Sequence, residues 1–326
     1  MHLKSFCKYK ALILSVLVFL GHSNVLAQST YTKGQPIYPS FEGWRENPDG
    51  TINFMFGYFN ENWDEEPFMP VGENNYFTPG EADRGQPTKF FPRRNRWVFE
   101  VTVPGDWGDR ELVWTLNVNG SEAKAYATLN PNYVADNMLI ASETGSLSIG
   151  TSNPEIRANT PPELSVQGDA ARSVRVGEPL TIVSNVTDDG VPRSRITSTI
   201  PTDMLLRRLF SPPMRPTVNK INALFVSWNV YRGQGKVTFD PPQTKVWEDT
   251  RAGGNSPWGV HWRPPEIPED GEIEVTATFS EPGTYTLWGR ADDGGLYHDA
   301  YITAVSYTHL RAHETSLHLV CRLLLE

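Results

Sequence analysis

The stretch ATFSEPGTYTLWGRADDGGLYHDAYITA, residues 277–304, decides the fold class. Apolar and polar residues alternate through 273–279, again through 284–291 and again from 297 onward, as they do when a strand shows one face to a core and the other to water. Pro282-Gly283 and Asp293-Gly294 interrupt these runs with residues that tight turns require. The region therefore reads as consecutive antiparallel strands.

Working upstream, the same period recurs at 163–166, 171–176, 180–186, 224–231 and 235–239. Seven or eight short strands at this spacing, separated by Gly and Pro, predict an immunoglobulin-like sandwich over 160–304, with insertions near 193–223 and 247–270. The strings VTDDGVP (186–192) and SWNVYRGQGKVTFDPP (227–242), taken with the one quoted first, resemble the PKD-type and related Ig-like modules of exported bacterial proteins. The resemblance implies that Trp228 sits in the core and that the corner 282–285 leads into the penultimate strand. It is silent on function, because such modules serve as spacers, adhesive units and accessory domains.

A second strand series precedes this one, at 51–58, 97–103, 111–118 and 123–129. Asn119-Gly120 joins the last two, and this pair supplies the positive φ angles of a two-residue hairpin. Residues 28–134 thus form a further antiparallel sandwich, with 60–96 reading as a long loop that holds at most a short strand at 68–71. Through 135–159 the pattern fades into small and polar residues, a linker in which 136–141 could form a short helix. The predicted fold class is all-β, two antiparallel β-sandwich domains in tandem after a signal peptide.

The leader is legible in Lys4, Lys8 and Lys10, the apolar run 11–20 and the small residues before Gln28. That run is about half the roughly 20 residues a membrane span needs, so cleavage and export are expected and the mature chain is not expected to insert in a bilayer. The segment VSYTHLRAHETSLHLVCRLLLE, 305–326, departs from everything before it and resembles a translated sequencing adapter. The preceding strand is therefore expected to be cut off at Ala304, with Val305, Tyr307 and Leu310 as β formers that could pair for a few residues beyond it.

Between residues 28 and 304 there is no Cys, and only His261 and His298 remain. The formal charge of −9 for the whole chain becomes −12 there, because the three leader lysines drop out and the tail's charges cancel. An acidic surface disfavours nucleic acid and anionic lipid. An exported chain without disulfides depends on its hydrophobic cores. Secretion or a periplasmic location is the expected destination.

The catalytic inventory is thin: no H-E-x-x-H spacing, no G-x-S-x-G elbow, and no phosphate loop after a strand. The leading expectation is a non-catalytic recognition module, for glycan or protein, or a structural spacer. The alternative is a carbohydrate-active enzyme or its accessory domain, with Asp64, Glu65, Glu66 and Glu248 as available carboxylates. Trp114 and Trp228 lie mid-strand and are expected in cores. Trp44, Trp63, Trp247, Trp258 and Trp262 sit among Gly, Pro and charges, where an exposed ring could stack on a sugar. The long loop concentrates Asn60, Asn62, Asn74, Asn75, Asp83, Arg84, Gln86, Arg93 and Arg94, and long loops more often carry binding than short ones. Of all these, Trp63, Asn60, Asn74, Asn75, Asp83, Arg84, Gln86, Arg93, Trp258 and Trp262 are the candidate ligand-binding residues. No cofactor is expected. Two acidic pairs, Asp188-Asp189 and Asp292-Asp293, are the candidate ligands of a structural calcium ion, which takes six to eight oxygens.

Overall fold

The computed structural model describes residues 33–62, 65–143, 154–191, 224–243 and 266–308. Among them, no helix is long and apolar enough to cross a membrane. The protein is all-β, built as two antiparallel sandwiches.

In the first sandwich, β1 (Ile37–Glu46), β2 (Ile52–Asn60) and β4 (Arg93–Val103) form one sheet in the order β1-β2-β4. The facing sheet has β3 (Asn75–Thr78), β5 (Leu112–Val118) and β6 (Ser121–Ala127) in the order β3-β5-β6. Asn119 and Gly120 have φ of 52° and 77°, as the hairpin between β5 and β6 demands. Trp114 is wholly buried at the centre of the core, 5.0 Å from Phe99 edge-on and 5.9 Å from Phe77 stacked. Its indole N–H donates to Asn75 Oδ1 at 3.0 Å, which satisfies the one polar atom the ring brings inside.

β1 was not legible as a strand. Its pairing with β2 shifts between Phe41 and Gly43, a bulge at Glu42 that throws the alternation out of phase. A second irregularity lies in β4. Phe56 pairs with Phe99 but Tyr58 with Asn95, so Arg96, Trp97 and Val98 together oppose Gly57. Trp97 takes φ of 51° there. Gly57 admits no side chain, since a Cβ would strike the Asn95 carbonyl. The consequence is that the Trp97 ring and carbonyl are turned away from the first core.

The second sandwich has β11 (Val237–Asp240), β12 (Glu272–Phe279), β9 (Pro179–Thr187) and β7 (Glu163–Val166) in one sheet, ordered β11-β12-β9-β7. The other holds β10 (Phe225–Arg232), β13 (Gly283–Asp292), β14 (Tyr297–Tyr307) and β8 (Ala171–Arg175), ordered β10-β13-β14-β8, with β8 parallel to β14. In chain order this is the immunoglobulin arrangement of A, B, E and D against C, F and G, with the first strand divided between the two sheets. Trp228 on the C-like strand is wholly buried under Gly289, whose missing Cβ makes room for the indole. At the start of the F-like strand, the Tyr285 hydroxyl donates to the Glu281 carbonyl at 3.0 Å, the tyrosine corner of this fold. Leu287, two residues on, fills the place of the disulfide cysteine of antibody domains with a wholly buried apolar side chain. Tyr285→Phe is expected to cost about 1 kcal/mol, seen as a lower denaturant midpoint at unchanged m-value.

Two element boundaries differ from the sequence expectation. The stretch 60–96 is not one loop, since β3 lies inside it and β4 begins at Arg93. The last strand does not stop at Ala304: Val305 and Ser306 pair with Thr284 and Gly283, and Tyr307 pairs with Arg175 of β8. Val305 and Tyr307 are adequate β formers, so the strand continues.

The sandwiches are fastened to each other. The outer faces of β10, β13 and β14 carry Tyr231, Trp288, Arg290 and Asp299 instead of short polar residues, and they pack on the first domain. Tyr231 and Trp288 join the first domain's buried cluster. The linker contributes as well, through α1 (Asn137–Glu143), whose first turn is capped by the Asp136 carboxylate accepting from the Leu139 amide at 2.8 Å. Ile140 and Ala141 bury with Met55, Trp97, Ala135 and Leu296 in a small third core between the domains.

Candidate functional site

Two rows of polar contacts hold the domains in register and leave a groove between them. In the first row, Arg232 donates to both Asp83 oxygens at 2.7 and 3.0 Å and through Nε to the Gln86 carbonyl at 2.8 Å. Beside it, the Tyr231 hydroxyl donates to the Gly85 carbonyl at 2.5 Å, and the Thr88 amide donates to the Tyr231 carbonyl at 3.1 Å. Arg232 holds the Asp83 carboxyl below the usual carboxylate range.

In the second row, Arg290 is 6 % exposed. It donates to both oxygens of Asp299 at 2.7 Å and to the Trp97 carbonyl at 2.5 Å. Its flat faces lie 4.7 Å from the Trp288 ring and 3.9 Å from the Tyr297 ring. Asp299 keeps the guanidinium charged against the burial that would discharge it. The bulge at Trp97 is what delivers a carbonyl to this arginine.

Around these contacts lie two basins of about 580 Å³ each, within the range of small-ligand sites. One lies between Trp44, Arg45, Asp136, Asn159 and Leu296. The other is walled by Arg45, Trp97, Glu100, Tyr297, Asp299 and Tyr301. Arg45 belongs to both, paired with Glu100 at 2.8 Å. Tyr301 is 42 % exposed, and its ring is fixed edge-on against Tyr231 at 5.3 Å. The Trp44 indole donates to the Asn130 carbonyl at 2.9 Å, leaving the ring half-buried at the rim of the first basin.

The candidate binding residues of the 60–96 segment fall elsewhere. Asn60 and Asn75 are wholly buried and serve as internal ties: Asn60 donates to the Glu65 and Phe90 carbonyls, and Asn75 donates to those of Met69 and Pro87. Gln86, also wholly buried, donates to the Ala82 carbonyl and accepts the Arg84 amide. Arg84 reaches the Pro79 carbonyl at 3.4 Å. Arg93 donates to the Glu61 carbonyl and lies over the Phe59 ring at 4.7 Å. Asn74 is exposed, and its carbonyl accepts the Asn117 amide. Asp83 faces the other domain. This segment is a fastening surface, ordered by amide side chains that satisfy backbone groups where no strand partner exists. Trp63, Trp258, Trp262, Trp247, His261, Asp64 and Glu248 lie outside the described residues. Glu65 accepts the Gly34 amide and Glu66 pairs with Lys89 at 3.0 Å, so neither stands free in a cleft.

The acidic pairs act on turns. Asp188 accepts the Gly190 amide, and Asp189 accepts both the amide and the hydroxyl of Thr160. Asp292 accepts the Gly294 amide, while Asp293 accepts from Gly295, Leu296 and Asn159. Among the described residues, no three His, Cys, Asp or Glu side chains gather as metal ligands would. Addition of EDTA is accordingly expected to leave Tm unchanged. A fall of more than about 5 °C, some 1 kcal/mol for domains of this size, would restore a structural cation.

The groove residues Arg45, Glu100, Tyr297 and Tyr301 were missed because they lie on strands, where polar and amphipathic residues read as an ordinary solvent face. One signal was present: Trp288 interrupts the alternation of 284–291 and Tyr231 that of 224–231, as large apolar residues do on strands covered on both faces.

No protein-family model matches the chain, and no curated protein matches it. Among solved structures, the D00-D0 domain of Intimin is 9 % identical over 83 % of this chain and 100 % of its own, with a TM-score of 0.22. The native conformation of E. coli alpha-2-macroglobulin is 11 % identical over 84 % of this chain and 17 % of its own, at 0.24. A chimeric titin Z1Z2 is 10 % identical over 83 % and 97 %, at 0.21. Scores this low leave the fold assignment to the strand order itself.

Proposed function

We propose that this is an exported, non-catalytic recognition protein in which an N-terminal sandwich and a PKD-type immunoglobulin sandwich are locked together and receive a ligand in the groove between them. The observation that carries this reading is the docking itself. A spacer needs only a flexible joint, whereas here a buried arginine, a bidentate ion pair and a shared apolar cluster fix two walls at a set distance. Fixed walls lower the entropy lost on binding. Clefts between domains are favoured ligand positions.

The carboxylates in the groove speak against hydrolysis. Both oxygens of Asp299 accept from Arg290, and those of Glu100 accept from Arg45 and Asn53. A carboxylate whose two oxygens are already engaged must break one of these contacts before it can reach a glycosidic oxygen or an attacking water.

The reading is tested with glycan and peptide arrays probed by the mature chain and by Thr286→Trp, which places an indole in the groove. Ligands retained by the parent chain should be lost from the variant, with Tm unchanged. Retention that survives the blocking indole, or no retention on either array, would remove the groove as the binding site.

A further inference from the structure

The geometry points to a neutral, extended oligosaccharide as the ligand class of the interdomain groove, lying across both basins with sugar faces on Tyr301 and Tyr297. This rests on the recognition reading above and adds to it the chemistry of the ligand.

Charge comes first. In the basin that holds the two tyrosines the ionised wall groups are matched within the protein, Arg45 with Glu100, Asp299 with Arg290 and Arg232 with Asp83, while the other basin is also lined by Glu46, Asp136 and Arg157. A charged polymer lying on the tyrosines would have to break one of these pairs to gain a partner there, and would leave a charge uncompensated. A neutral ligand leaves all three intact, while their remaining lone pairs and N–H groups still face hydroxyls. His298, also at the groove, uses Nδ1 to accept the Leu164 amide at 3.0 Å, which assigns its hydrogen to Nε2.

Ring geometry is the second argument. Pyranose rings present C–H groups on their faces and hydroxyls around their rims, so they are bound by flat aromatic surfaces bordered by polar groups. The Tyr301 ring is exposed yet held by Tyr231, and the half-buried Tyr297 ring is held by Arg290. Neither platform has to be ordered on binding. The two basins share Arg45, so a chain of several sugars can run past it with hydroxyls directed to its guanidinium.

The test is calorimetric titration of the mature chain with neutral hexose and pentose oligosaccharides of two to six units, with uronate-bearing analogues of the same lengths and the peptide array as the other arms. Affinity for a neutral series should rise at least about tenfold from two to four units and change little with salt, since no ion pair forms. Tyr301→Ala should weaken it by about tenfold or more, and Tyr301→Phe by less than about threefold, because stacking needs the ring and not the hydroxyl. Binding confined to uronates, no saccharide binding, or binding indifferent to Tyr301→Ala would overturn the assignment. Peptide retention lost in Thr286→Trp would overturn the saccharide and leave the recognition reading standing. No groove-dependent ligand of any class would remove both.

Discussion

Replacing Arg290 with alanine is expected to lower the unfolding free energy by about 3–5 kcal/mol and to let the two sandwiches separate. The size follows from what remains behind. Asp299 has a side chain only 15 % exposed, and it would stay in place as an anion with both oxygens unpaired. The Trp97 carbonyl, turned outward by the β4 bulge, would lose its donor as well. The Trp288 and Tyr297 rings would lose the cation between them, an attraction of about 0.5–2 kcal/mol each at partly desolvated sites. The ion pair is not thereby a large net source of stability, since burying two charges offsets most of their attraction. It lies within one sheet and holds the guanidinium against the Trp97 carbonyl of the first sandwich.

A comparison of variants separates these effects. Arg290→Lys keeps the charge but cannot bond Asp299 twice and Trp97 at once, so it should recover less than half the loss. Arg290→Met with Asp299→Leu leaves no orphaned charge and should be nearer the parent in stability than Arg290→Ala. Denaturant titration gives the free energies, and small-angle scattering gives the interdomain distance. If Arg290→Ala lost under 1 kcal/mol and kept the parent scattering profile, the register would have to be set by the Asp83–Arg232 row alone.

The second large effect depends on pH. Asp293 is 1 % exposed in the turn between β13 and β14. Burial pushes its carboxyl up to about 7, and the neighbouring Asp292 adds to this, while the Leu296, Gly295 and Asn159 N–H donors oppose it. The unfolded chain has this group near the ordinary 3.8. Between those values the folded protein therefore binds more protons than the unfolded one, and stability falls as pH rises through the window. The loss begins near pH 4, is complete above about pH 7 and amounts to about 4 kcal/mol.

Asp293→Asn should remove this slope. The amide oxygen still accepts from the Gly295 and Leu296 amides. Its NH₂ meets Asn159, whose buried Oδ1 has no hydrogen-bond partner among the described residues and can accept from it after an amide flip. The variant is expected to be the more stable protein at pH 8, with the two stability curves meeting near pH 4. Parallel curves from pH 4 to 8 would show that Asp293 ionises normally in the folded chain.

Much of the fold was legible from residues alone, for reasons that particular segments show. Asn119-Gly120 fixed a hairpin because few other pairs accept positive φ twice. The run from 277 to 304 gave the F- and G-like strands and the corner between E and F, because alternation and turn residues agree there. β1 escaped notice because its bulge breaks the period on which strand reading depends. The 60–96 segment drew attention for a composition that serves more than one purpose. Asn, Gln and Arg in quantity signal a chain that must satisfy its own backbone without strand partners, and this is equally true of a ligand loop and of a docking loop.

What the sequence determined by itself was the type of each layer: strands with buried alternate faces, no cysteine to bind them, and aromatic cores around Trp114 and Trp228. Local chemistry suffices for that, since each choice depends on neighbours within a few residues. Only the tertiary structure decided that the two sandwiches meet, because Arg290 and Trp97, or Asp83 and Arg232, are brought together across more than a hundred residues by the handedness and register of whole sheets. The groove between them is a property of that meeting, and no single strand contains it.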